Sequence, residues 1–176
     1  MCIRDSWQEE RDATLCEARC VVVKVGSAVL STGSELNITV LDNLVNQLAV
    51  LSRQGRRVVL VSSGAVAAGR TALKKLPGEP AAVGLSGKQA AAAVGQCSII
   101  YLYDKFFGDY DKSIAQILLN AEDMEQEEKK ENLTNTFDAL LEMGVIPIVN
   151  ENDSVSYKEI ESEDRLFGDN DMLSSV

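Results

Sequence analysis

Lys24, at the end of the apolar run "VVVK", is the first residue whose position suggests chemistry. Lysine is among the side chains least often buried, and Gly26, two positions later, would normally weaken a strand. Glycine lets the backbone come close to a ligand, N–H groups at a helix start favour an anion, and lysine adds a mobile positive charge. Lys24, Gly26 and Ser27 together therefore suit a phosphoryl group.

Small, hydroxyl, amide and carboxylate residues follow two further apolar segments and occur in one more loop. Ser62, Ser63 and Gly64 follow "VVLV", Asp153 lies in "NENDS" after "VIPIV", and "GDND", residues 168–171, comes shortly before the last residue. The carboxylates and amides suit an ammonium group, a metal-bound phosphate or a second cation. The whole set indicates phosphoryl transfer, in which catalysis is mostly positioning and charge neutralisation.

The chain contains no histidine. This excludes Ser–His and Cys–His nucleophiles and any histidine general base. The segment "GLSGKQ", residues 84–89, resembles a P-loop, but Ala82 stands where the first glycine is required and Gln89 where Ser or Thr is required. We interpret it as a helix start. A GxGxxG fingerprint is absent from the sequence as well.

Strand and helix patterns alternate along the chain and must position these residues. Apolar runs predict strands, and helical spacing of apolar residues predicts helices between them. The predicted strands are 21–25, 58–61, 114–119 and 145–149. The first two predicted helices are 38–51, with Gly55 as its C-terminal cap, and 64–75. A long helix begins at "SGKQAAAAV", and the charged run 121–131 is expected on the solvated face of a helix. Another helix runs through Leu133 and Leu141 and is closed by Gly144, and a last helix is expected to start at Asn170 or Asp171.

This alternation predicts an α/β fold with a mostly parallel sheet covered by helices on both faces. Ligands of open parallel sheets bind beyond the carboxyl ends of the strands. We therefore expect the polar residues above to meet at one edge of the sheet.

Composition limits the class of protein. The 176 residues are 45% hydrophobic, enough for one core, and the net charge of −10 argues against binding to nucleic acid or to an anionic membrane. Residues 1–18 are charged and lack an apolar signal core, so we expect an unstructured tail or non-native leader there, one domain over 19–176 and a cytoplasmic protein. Cys2, Cys16, Cys20 and Cys97 are then expected to be free thiols.

Five motifs come in an order typical of one enzyme family. "VVVKVGSAVL", "VLVSSGAVAAGR", "KQAAAAVGQ", "VIPIVNENDSV" and "FGDNDMLSS" resemble, from about Val21 to the last residue, the amino acid kinase family. "SSGAVAAGR" together with "NEND" and "GDND" is similar to the branch that phosphorylates glutamate, and differs from the aspartate, acetylglutamate and uridylate kinases. The resemblance implies an αβα sandwich.

The resemblance also implies an activity. The γ-phosphate of ATP, bound with Mg²⁺, would pass to the side-chain carboxylate of L-glutamate, giving glutamyl 5-phosphate in the first step of proline biosynthesis. By similarity, Lys24 would contact the transferring phosphoryl group and Gly26 with Ser27 would form its backbone cradle. Residues implied to bind glutamate are Ser63, Gly64, Ala65, Asp153 and Asn170. Asp171 would orient the catalytic lysines, with Asp169 a weaker candidate for the same centre.

The sequence departs from the family pattern in three ways. Ser62 stands in place of a threonine, and the acidic segment between "NEND" and "GDND" is a few residues longer, which leaves glutamate affinity and feedback inhibition by proline open. The family places its adenine-binding strands, a glycine-rich loop and a second catalytic lysine after the position of Val176. We therefore expect an N-terminal fragment that is inactive alone, from a protein that forms homo-oligomers at full length.

Three alternatives stay open at this point. The chain could belong to another small-molecule kinase of the same family that uses aspartate, acetylglutamate or carbamate. It could instead be a non-catalytic fragment that binds an acidic amino acid. A flavodoxin-like or dinucleotide-binding fold is disfavoured because no glycine fingerprint is present.

Overall fold

The computed structural model of the protein describes residues 13–32, 35–78 and 83–155. The strands are β1 (Cys20–Val25), β2 (Ser31–Thr32), β3 (Glu35–Leu36), β4 (Arg57–Ser62), β5 (Ile114–Leu119) and β6 (Ile146–Glu151). The helices that connect them are α1 (Ser27–Leu30), α2 (Ile38–Arg53), α3 (Ala65–Leu73), α4 (Gly84–Gly108), α5 (Ala121–Glu125) and α6 (Glu127–Glu142).

The long strands form one parallel sheet in the order β1-β4-β6-β5. The register pairs Val25 with Ser62 between β1 and β4, and Val61 with Val149 between β4 and β6. The α/β fold and the parallel sheet predicted from the sequence are confirmed. The antiparallel pair of β2 and β3, in which Ser31 faces Leu36, was not predicted.

Helices cover both faces of the sheet, as the near-continuous apolar strands predicted. Successive side chains of a strand point to opposite faces. Val58 and Leu60 of β4 therefore join a core with α2 and α4, whereas Val59 and Val61 join a second core with α6. The α4 face contributes Ile99, Tyr103 and Phe107, all buried, and the α6 face contributes Leu133, Phe137, Leu140 and Leu141.

Helix α2 begins at the predicted residue and ends at Arg53, two residues beyond the predicted end. The side chain of Asn37 caps its first turn by accepting a hydrogen bond from the Val40 amide at 3.2 Å. Gly55, just beyond its end, has a φ of 82°, the left-handed conformation for which glycine is favoured. The charged run 121–131 was predicted as a solvated helix face, and the structure divides it between α5 and α6, with Gln126 in an extended conformation between them.

Helices α3 and α4 pack closely because two glycines face each other. A Cβ built on Gly95 would contact the carbonyl oxygen of Ala65, and a Cβ built on Gly69 would contact that of Ala91. Any larger residue at these positions would force the helices apart. The close crossing places α4 directly behind the turn that joins β4 to α3.

The segment before β1 is described from residue 13. Residues 13–17 are helical, and the Arg56 guanidinium donates hydrogen bonds to the carbonyl oxygens of Leu15 at 2.7 Å and Cys16 at 3.2 Å. The tail predicted for residues 1–18 otherwise stays a prediction, as does the domain boundary after it. Cys16, Cys20 and Cys97 are free and exposed, and Cys2 lies outside the described residues.

Candidate active site at the carboxyl edge of the sheet

Three neighbouring strands end at the same edge of the sheet. Gly26 follows β1, Ser63 follows β4, and Asn150 lies near the end of β6. The parallel pairing of these strands brings the three chain segments side by side. The amide of Ser63 donates a hydrogen bond to the carbonyl oxygen of Val25 at 3.1 Å, which ties the second segment to the first.

Lys24 lies at this edge with its side chain exposed. Its Nζ is 3.9 Å from the position that a Cβ would occupy on Gly26. The missing side chain of Gly26 therefore leaves a space that faces an ammonium group, and such a cradle fits an anion. Ser27 follows at the start of α1 and is exposed.

The turn Ser63–Gly64–Ala65 is fixed by its backbone and by the residues behind it. Gly64 has a φ of 106° and precedes α3, and the Ala68 amide donates to its carbonyl oxygen at 3.0 Å. A Cβ at Gly64 would lie 3.4 Å from Cδ1 of Ile99. The left-handed backbone and the close neighbour together explain why glycine occupies this position. Ala65 is buried against α4.

A cavity of about 300 Å³ lies between α4, β5 and the loop after β6. Ala65 and Asp153, both predicted as glutamate-binding residues, line it. Its other lining residues are Ala92, Ala93, Gln96, Cys97, Ile100, Gln116, Leu118, Glu151, Asn152 and Ser154. Glu151 is 2% exposed, so the cavity has a buried carboxyl group in its wall beside the partly buried Asp153.

Gln96, which lines this cavity, is held in place by Asn150 of β6. Nδ2 of Asn150 donates a hydrogen bond to Oε1 of Gln96 at 2.9 Å, and Asn150 is 2% exposed. Its Oδ1 is buried and has no hydrogen-bond partner among the described residues. Carboxylates accept hydrogen bonds from ammonium groups and carboxamides can both donate and accept, so this wall fits a small zwitterion.

Lys24 and the cavity belong to opposite faces of the sheet. Lys24 and Val25 are adjacent in β1, so their side chains point to opposite faces of the sheet. Val25 packs in the core on the α4 side, which places the side chain of Lys24 on the other side. The cavity opens on the α4 side. The two parts of the site meet at the carboxyl edge, where the Ser63–Gly64 turn lies between them.

Some site residues were missed from the sequence. Gln96 stood in the quoted motif "KQAAAAVGQ", yet it was given no role, and neither were Glu151 and Gln116. Two signals could have identified the glutamines. Gln96 is a carboxamide within an alanine-rich helix, and Gln116 is a carboxamide within the apolar strand "IAQILL". The segment "GLSGKQ" forms the start of α4, as interpreted.

The predicted residues of the "GDND" segment are not placed. Asp169, Asn170 and Asp171 lie outside the described residues, so their roles stay predictions. Within 13–32, 35–78 and 83–155, no group of three or more histidine, cysteine or carboxylate side chains is arranged to hold a metal ion. No helix in that part of the chain is long and apolar enough to cross a bilayer.

Comparison with known proteins agrees with the motifs. The chain is 52% identical over 170 residues to a glutamate 5-kinase of Nitratidesulfovibrio vulgaris (strain DP4), covering 97% of this chain and 43% of the relative. It is 48% identical over 170 residues to a glutamate 5-kinase of Oleidesulfovibrio alaskensis, with the same coverages. It is also 44% identical over 165 residues to a glutamate 5-kinase of Clostridium perfringens (strain 13 / Type A), covering 92% of this chain and 59% of the relative.

The chain thus spans between about two fifths and three fifths of the length of these relatives. The sequence model of the amino acid kinase family matches residues 19–176, which include every strand and the whole cavity. The resemblance read from the motifs is confirmed by this match and by the relatives. The chain belongs to the amino acid kinase family.

Proposed function

We propose that this chain supplies the glutamate-binding and phosphoryl-binding parts of a glutamate 5-kinase. The enzyme transfers the γ-phosphoryl group of ATP to the side-chain carboxylate of L-glutamate. The observation that carries the proposal is the carboxylate-lined cavity beside the Ser63–Gly64 turn at the carboxyl edge of the sheet. The relatives named glutamate 5-kinase support the choice of substrate.

The cavity holds the amino acid in this proposal. The carboxylates of Asp153 and Glu151 attract the α-ammonium group, and Ser63 with Gly64 contacts the rest of the substrate from the edge of the sheet. Asn170 joins this set, as its motif implies. The substrate's side-chain carboxylate then points across the edge toward Lys24.

Lys24 and Gly26 hold the phosphoryl group. The ammonium of Lys24 neutralises charge that develops during transfer, and Gly26 leaves room for an oxygen close to the backbone. Asp171 orients the lysine, and Ser27 completes the cradle. Mg²⁺ arrives with the nucleotide and supplies further charge neutralisation.

Three expectations accompany the proposal. L-Proline is a candidate inhibitor that would compete with L-glutamate for the cavity. A protein with the full length of the relatives is expected to form homo-oligomers. The cytoplasmic location stays a prediction from the sequence.

A substrate panel measured by isothermal titration calorimetry tests the proposal. L-Glutamate, L-aspartate and N-acetyl-L-glutamate are titrated into the chain. We expect saturable binding of L-glutamate and at least tenfold weaker binding of N-acetyl-L-glutamate, because acetylation removes the ammonium group that the two carboxylates recognise. Tighter binding of either competitor would assign the chain to a different kinase of the family.

A further inference from the structure

One stripe of α4 contacts the turn between β4 and α3 at three residues, Ser62, Gly64 and Ala65. Gly95, Ile99 and Tyr103 lie four residues apart, so they share a face of the helix. Gly95 contacts the backbone of Ala65, Ile99 lies behind Gly64, and Tyr103 reaches Ser62. Going from Gly95 to Tyr103 along the helix, the contacts therefore move backward along the turn, from Ala65 through Gly64 to Ser62.

The contact between Tyr103 and Ser62 is a buried hydrogen bond. The two hydroxyl oxygens are 2.8 Å apart, and the residues are 0% and 2% exposed. Ser62 Oγ also donates to the carbonyl oxygen of Ser63 at 3.3 Å. A serine hydroxyl carries one hydrogen, so Tyr103 is the donor in the first bond and Ser62 the donor in the second.

The chemistry of Tyr103 suits the role of a fixed donor. Burial raises the pKa of Tyr103 to about 12. The hydroxyl therefore stays protonated at neutral pH. Its ring packs with Phe107 at a centroid distance of 6.4 Å, which limits movement of the hydroxyl away from Ser62.

We propose that Tyr103 is a positioning residue of the active site, which acts through Ser62 to hold the Ser63–Gly64 turn in its binding conformation. Tyr103 lies outside the lining of the cavity, so it acts without touching the substrate. The effect on substrate affinity rests on the proposed function, whereas the effect on the turn does not.

The test compares Tyr103→Phe with Tyr101→Phe. Both variants lose one hydroxyl oxygen from the same helix, but Tyr101 is 65% exposed. Hydrogen exchange of the Ser63 amide, which bonds to Val25, reports the turn, and the Ile117 amide in β5 serves as the internal reference. Calorimetry with L-glutamate reports the site.

We expect Tyr103→Phe to accelerate exchange at Ser63 about threefold to tenfold relative to Ile117, and to weaken glutamate binding by a similar factor. Tyr101→Phe should change neither value. Ser62→Ala should accelerate exchange at Ser63 at least as much, because it loses both the bond from Tyr103 and the bond to the Ser63 carbonyl oxygen. The double variant should be no weaker than Ser62→Ala, because the serine substitution already removes the bond that Tyr103 makes.

The outcomes separate the two proposals. Unchanged exchange at Ser63 in Tyr103→Phe overturns the positioning role, whether or not glutamate binds. Equal acceleration at Ser63 and Ile117 also overturns it, since that indicates general destabilisation. Absence of glutamate binding by the unmodified chain contradicts the proposed function, and the exchange data then decide the positioning role alone.

Discussion

Nδ2 of Asn150 donates a hydrogen bond to Oε1 of Gln96 across 2.9 Å, joining the end of β6 to the middle of α4. The bond holds Gln96, a residue of the cavity lining, against the end of β6, and together with the Ser62–Tyr103 bond it connects the sheet edge to α4. A buried amide that loses its hydrogen-bond partner still carries the free-energy cost of desolvation, and no hydrogen bond then offsets that cost. The two residues should therefore depend strongly on each other.

Gln96→Leu is expected to lower the free energy of unfolding by about 1–3 kcal/mol, because Nδ2 of Asn150 is left buried without an acceptor. Urea denaturation measures the change. The double variant Gln96→Leu with Asn150→Leu should lose less than the sum of the single variants, since both polar groups are then absent. Strict additivity would mean that the two side chains do not interact.

Gly95→Ala is expected to destabilise the protein by about 3 kcal/mol, because the added methyl group meets the backbone of Ala65. Gly108→Ala is the matched control. Gly108 lies at the end of the same helix with nothing within 4 Å of a built Cβ, so alanine there should be neutral or stabilise by about 0.5–1 kcal/mol. Similar losses in the two variants, measured by thermal unfolding, would contradict the close helix crossing.

Stability should fall as the pH rises from 10 to 12. The pKa of Tyr103 is raised from 10.0 to about 12, so its contribution is complete below pH 10 and is lost between pH 10 and 12, where the unfolded chain releases this proton and the folded protein keeps it. Each pKa unit corresponds to about 1.4 kcal/mol, so the loss is on the order of 2–3 kcal/mol. Urea unfolding at several pH values measures it. Tyr103→Phe serves as the control and should remove this part of the slope, and an unchanged slope would assign the loss to other groups.

Lys24→Ala should lower the rate of phosphoryl transfer by about 10²–10³, as removal of one preorganised charge-stabilising group does elsewhere. The assay uses a chimera in which this chain is joined to the remainder of the Nitratidesulfovibrio vulgaris relative. Lys74→Ala, at the far end of α3, is the control and should leave the rate unchanged. Equal rates for the Lys24 variant and the unmodified chimera would exclude a role for Lys24 in transfer.

The 176-residue chain alone is expected not to turn over ATP with glutamate. The chain covers 43% to 59% of the named relatives, and the resemblance implies that adenine-binding strands and a second catalytic lysine belong to the remainder. A coupled assay for ADP release, with the chimera as the positive control, checks the expectation. ADP release by the chain alone that depends on glutamate would show that its own residues suffice.

Much of the fold could be predicted from the sequence because its elements have strong local patterns. β5 was predicted with the bounds that the structure has, and Gly55 marked the end of α2 as expected. The order of the strands was not predicted, since β6 inserts between β4 and β5 through pairings distant in sequence. The two-residue strands β2 and β3 are too short to have a periodicity.

The site was partly predictable. Asp153 and Ala65 were identified from motifs, and the structure places both in one cavity. Gln96 and Tyr103 were not assigned, because their roles depend on how closely α4 approaches the sheet. Gly69 and Gly95 allow that approach, but the sequence does not show that these two glycines face each other.

The most direct test of the account is a crystal structure of the chain with L-glutamate bound. We expect the amino acid in the cavity between α4 and β6, with its ammonium group within hydrogen-bonding distance of Asp153 and its side-chain carboxylate directed toward Lys24. L-Glutamate bound outside this cavity, or bound inside it with the ammonium turned away from Asp153, would contradict the central claim.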